Sequence, residues 1–183
     1  MRFLRLWRRM GWKAGSSEPL VGGSGASSFF EMSKRERVAK FLGGFEDSGA
    51  YAAGYVAFFE CFHAGEYYEA HDVLEQVWLG SRDENAPFYK GLIQIAGAFV
   101  HLRKNFEHPE HPKHRHRLHP AVRLFELGMK NIRPFGPCHL GLNVDAAVAL
   151  GESLVVRIRG SEFSQNPWSP SHRPQLICEV RRG

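Results

Sequence analysis

Five residues on one stretch of chain have the types and spacing that chemistry needs: His71, Glu75, Gln94, His101 and Asn105. His71 and Glu75 are four apart, so a single helix projects both from one face and offers two ligands to a divalent cation. His101, from the next helix, is the expected third. A mixed nitrogen and oxygen set suits zinc, manganese or iron. Three protein ligands leave a coordination position for a water nucleophile, the arrangement of a metal-dependent hydrolase. The competing reading is a non-catalytic interaction or scaffold module, in which the same groups form a buried hydrogen-bond network. There His71 bonds Glu75 or Gln94, and Trp78 fills the core beside them. On the residues alone the two readings weigh about equally.

Either reading requires a helical hairpin. Counted at about 100° per residue, His71, Leu74, Glu75 and Trp78 share one face of a helix over about 66–79, joined by Tyr67 and Tyr68. Glu66, Glu69, Asp72 and Gln76 point elsewhere, and the two glutamates suit the positive helix N-terminus. The next helix runs to about Asn105, with Asn85 as N-cap and Pro87 in the first turn. It is apolar nearly all round, which predicts a central, buried position. Its polar residues form one stripe of Gln94, His101 and Asn105. The short loop at 80–86 makes the two helices antiparallel neighbours. In that register His71 lies opposite about Gln94, and His101 is offset along the axis. Gln94, Asn105, Trp78, Tyr67 and Tyr68 are therefore the expected ligand-binding or network residues around His71, Glu75 and His101.

Around the hairpin, apolar spacing predicts further helices. One covers about 33–42, opened by the Ser33-x-x-Glu36 capping box. Another covers about 48–63. Pro120 opens a helix that Pro134 closes, and Asn143 caps one reaching Ile158. No segment alternates as a sustained strand does. The fold class is all-α, a small helical bundle built around a central antiparallel hairpin. The bundle domain spans residues 33–159. Residues 1–32, a basic tail and Gly/Ser linker, and 160–183, a Pro/Ser-rich tail, are expected to be loosely ordered. Residues 106–119 form a proline-broken loop with His108, His111, His114, His116 and His119. It could capture metal ions or phosphate, but reads more simply as a solvated loop.

The segment from Gly65 to Trp78, GEYYEAHDVLEQVW, resembles the signature of the family known as domain of unknown function 309. The likeness rests on His71, Glu75 and Trp78 in an H-x-x-x-E-x-x-W pattern, then on Gly91-Leu-Ile-Gln-Ile-Ala, His101 and Asn105. It covers roughly residues 50–158, and the chain departs from the pattern after Asn105, where a short turn is usual. The resemblance implies a helical bundle of bacterial or archaeal type, with no established reaction and with metal binding suggested from the motif.

Composition narrows the classes. The net charge of +5 resides in Arg2, Arg5, Arg8, Arg9 and Lys13, which precede the first acid, Glu18; the rest carries nineteen basic and nineteen acidic residues. A broad nucleic-acid footprint is not expected on such a body. Residues 1–13 could make weak membrane-surface contact as a short amphipathic helix. Three cysteines without a CxxC argue against a disulfide framework, so a cytoplasmic location is expected. No nucleophile elbow, Walker A or dinucleotide fingerprint occurs, and no catalytic residue is assigned. A small molecule or a protein is the expected partner, with self-association left open.

Overall fold

Long apolar stretches broken by glycine, proline and polar loops dictate a helical chain, and a computed structural model shows how its helices pack. The structure describes residues 51–179; the helix expected at 33–42 and the basic tail lie outside them. The elements are α1 (Ala53–Ala64), α2 (Tyr67–Gly80), α3 (Ala86–Glu107), α4 (Leu118–Ile132), a 3-10 turn (Arg133–Phe135), β1 (Cys138–His139), β2 (Leu142–Asn143) and α5 (Val144–Gly160). The described part is an all-α bundle with one two-residue hairpin.

α1 stops at Gly65, whose φ of 83° lies in the left-handed region where a side chain is costly. Its amide and that of Glu66 return to Phe62 and Cys61 carbonyls. α2 then turns back against α1. A Cβ on Gly54 would stand 3.1 Å from the Val73 carbonyl oxygen, so only glycine allows this close approach.

α3 is central, as its all-round apolar sequence predicts: residues 91–102 are all buried. Phe99 joins three elements, edge-on to Phe62 of α1 at 5.2 Å and to Phe125 of α4 at 5.1 Å, and stacked on Tyr67 of α2 at 5.0 Å. Such aromatic pairs add about 0.5–1.5 kcal/mol each beyond the area they bury. α3 and α4 cross where Gly91 and Gly128 meet. A Cβ on either would sit 2.9 or 2.8 Å from the other's carbonyl oxygen. α5 packs on α4 through Gly151, against which Met129 rests. Asn143 caps α5 as expected, its Oδ1 accepting from the Ala146 amide at 2.9 Å.

Two expectations change. Asn85 does not cap α3 with its side chain. Its Oδ1 instead pairs with His139 Nε2 at 2.7 Å, which ties the 80–86 loop to β1. Nor are residues 161–179 a loose tail. They run back over the bundle as a strap. Trp168 is buried, its Nε1 donating to the Tyr67 hydroxyl at 3.0 Å and its ring edge-on to Phe106. Arg173 donates to the Ala64 carbonyl at 2.7 Å, Leu176 is buried, and Cys178 bridges to Leu142. The Pro/Ser composition misled because a few anchors, Trp168 and Leu176 above all, are enough to hold an extended segment.

Candidate functional site

α2 places its polar residues where a surface helix would not. Ala70, His71, Asp72, Val73 and Leu74 are all buried in succession, a run that spans a full turn of the helix. His71 Nδ1 lies 3.0 Å from Asp72 Oδ1, with both side chains nearly excluded from water. Glu75, one turn on, is half-buried. His71, Asp72 and Glu75 each offer one donor atom, and the three atoms lie within 4.8 Å of one another. Donors about 2.1 Å from a common ion stand about 3.4–4.2 Å apart, so small side-chain rotations would bring this set to coordination distance. Two carboxylates this close to each other also favour a positive partner electrostatically.

Asp72 is the member that sequence reasoning missed. Angular counting turns it about 100° away from His71, off the face that His71 and Glu75 share. The angle holds, but five successive buried residues span a full turn, so at that level the helix has no outer face. The signal that could have revealed it is Asp72's immediate neighbourhood, where a carboxylate directly follows a histidine inside an otherwise apolar run. Glu69 is exposed, as expected, and Glu66 accepts from Arg103 Nη1 at 3.2 Å.

The polar stripe of α3 forms, but it faces α4 and its approach loop. Gln94 Oε1 accepts from Asn131 Nδ2 at 2.7 Å, beside the Gly91–Gly128 crossing. His101 is buried with its Nδ1 3.1 Å from Arg117 Nη1. Burial, with the Arg117 charge next, lowers its pKa to about 3. Asn105 donates to the carbonyls of His114 and Arg115, both at 3.2 Å, and accepts from Asn166 of the strap at 2.9 Å. The three residues thus hold the helices, the loop and the strap. His101 stands outside the His71–Asp72–Glu75 group, because α3 has a neighbour on each side and its stripe faces the later one. Tyr67 is fully buried and serves Trp168 and Phe99, while Tyr68 and Trp78 are half-buried on α2.

Residues 55–108 match the family described as domain of unknown function (DUF309). The matched segment runs through α1, α2 and α3, the helices that carry both the α2 group and the α3 stripe. It ends where the histidine-rich loop begins, so the weaker likeness expected out to residue 158 is not part of it. No curated protein and no solved structure matches the chain. The DUF309 description brings no reaction with it, and the chemistry rests on the side chains. Among the described residues, no helix is long and apolar enough to cross a membrane.

Proposed function

We propose that this protein binds a divalent cation through His71, Asp72 and Glu75 of α2, and that the site serves a hydrolytic reaction. The reading is carried by one observation: a histidine and two carboxylates with donor atoms within 4.8 Å, two of the three residues buried. One nitrogen and two oxygens form a donor set suited to zinc, manganese or iron. A bound ion would supply Lewis acidity and activate a water for attack. The protein's own part is to hold the imidazole and the two carboxylates. Asp72 Oδ1 already stands 3.0 Å from His71 Nδ1, so this carboxylate and the ring face each other before any ion enters. Half-exposed Glu75 leaves that side of the group the approach for water and substrate. Gln94, His101 and Asn105 enter this reading as structural residues, since each bonds to α4, its loop or the strap.

Elemental analysis of protein purified without a histidine tag tests it. The expected result is near-stoichiometric metal, lost in His71→Ala and reduced in Asp72→Asn and Glu75→Gln. It should be retained when His108, His111 and His114 of the loop are replaced. Metal-free protein in which His71→Ala and Glu75→Gln lower only thermal stability would leave the buried network as purely structural.

A further inference from the structure

The loop between α3 and α4 gathers positive charge around one arginine. Arg117 is half-buried, and its Nε donates to His114 Nδ1 at 3.1 Å. Its Nη1 lies 3.1 Å from His101 Nδ1. Both imidazoles are held neutral: burial and the Arg117 charge lower His101 to about 3 and His114 to about 4. They can thus accept from the guanidinium without neutralising it. Lys104 is half-buried on the same side, its pKa lowered by burial and then by Arg117. No carboxylate among the described residues pairs with Arg117 or Lys104. The one acid acting on Lys104 is Glu107, which is already bonded to Arg103 at 2.7 Å.

Two further features add to the field. Arg117 is itself the N-cap residue of α4, a helix with no side-chain cap and no acid in its first turn. The positive end of that helix dipole is therefore uncompensated at the same place. The loop is also built and held: Asn105 ties down the His114 and Arg115 carbonyls, and His119 stacks on Phe163 at 3.8 Å. A half-buried guanidinium beside a half-buried ammonium repels it, and an anion joining the two would relieve that repulsion. Among the described residues, the hydrogen bonds of Arg117 use only Nε and Nη1, and its Nη1–Nη2 edge is the fork that fits phosphate bidentately.

We infer that Arg117, Lys104 and the N-terminus of α4 form an anion site for a phosphate-bearing ligand. His101 and His114 are positioning residues that hold the guanidinium by its Nη1 and its Nε. The site is separate from the α2 group, and its existence does not depend on metal binding there.

The test is calorimetric titration of the full chain with inorganic phosphate, with a chelator present so that no metal contributes. Saturable binding is expected, abolished in Arg117→Gln and weakened about tenfold or more in Lys104→Gln. Arg133→Gln, a surface residue paired with Glu152, should leave it unchanged. NMR of the imidazoles gives a second readout: phosphate should raise the pKa of His114 in the wild type and not in Lys104→Gln at the same concentration. Co-sedimentation with phosphatidylcholine vesicles containing phosphatidic acid separates the sources. Arg117-dependent vesicle binding without binding of free phosphate supports the same site with a lipid headgroup as ligand. No binding of either, or phosphate binding equal in wild type, Arg117→Gln and Lys104→Gln, overturns the inference. Lys104→Gln keeps the test decisive should Arg117→Gln fail to fold.

Discussion

Replacing Trp168 with alanine should destabilise the bundle far more than its place in a proline- and serine-rich segment suggests. The indole is 4% exposed, with ring contacts to Tyr67 at 6.2 Å and Phe106 at 5.4 Å. Its removal opens a cavity over Tyr67, itself fully buried, and strips the hydroxyl of its donor. Truncating a buried tryptophan costs about 3–5 kcal/mol. For a chain of this size, a loss of about 3–5 kcal/mol lowers Tm by roughly 6–20 °C. Trp168→Phe separates the two contributions, since it keeps most of the ring and loses the hydrogen bond, for about 1–2 kcal/mol. Differential scanning calorimetry of the three proteins measures both steps. A Trp168→Ala protein melting within about 2 °C of wild type would mean that the strap contributes little, and would refute the packing argument.

Other outcomes follow from particular contacts. Gly128→Ala gains about 1 kcal/mol of helix propensity, but its Cβ would stand 2.8 Å from the Gly91 carbonyl oxygen, so α3 and α4 must part by about 0.6 Å. Urea titration should show a net loss of about 1–2 kcal/mol, whereas Gly80→Ala, with nothing near its added Cβ, should gain up to about 1 kcal/mol. Gln94→Leu should cost about 1–3 kcal/mol in the same assay by leaving Asn131 without its 2.7 Å acceptor, and should not alter metal content. His101 should make stability depend on pH. Its folded pKa of about 3 lies below the ordinary value of about 6.5, so between these values the unfolded chain binds a proton that the folded chain does not. The stabilising contribution is complete above about pH 7 and is lost as pH falls towards 3, at up to about 1.4 kcal/mol per pH unit. Arg117, Lys104 and His114 all face the ring and disfavour its protonation, so His101→Gln should flatten the slope of chemical-denaturation stability against pH, and an unchanged slope would discount His101 as its source.

The helices, their stops and the central place of α3 were legible because they follow from periodicity, which acts locally. Asn143 as a cap and the buried face of His71 were legible for the same reason. What the sequence could not convey was partner choice. The stripe of Gln94, His101 and Asn105 is evident at helical spacing, but nothing local says whether it meets α2 or α4. The short 80–86 loop argued for α2, while the Gly91–Gly128 crossing brings Asn131 and Arg117 to the stripe instead. Asp72 escaped notice because its burial depends on how the bundle packs and not on its place in the helical period. The strap escaped notice because its anchors, Trp168, Asn166, Arg173 and Leu176, are spread through a composition typical of linkers.

The most direct test of the α2 site is anomalous diffraction from crystals grown with manganese or zinc, with data collected at the metal edge. A single strong peak is predicted between His71, Asp72 and Glu75, about 2.0–2.3 Å from a His71 ring nitrogen and at least one carboxylate oxygen. It should vanish in His71→Ala crystals. Peaks confined to the His108–His114 loop, or none at all, would contradict the account.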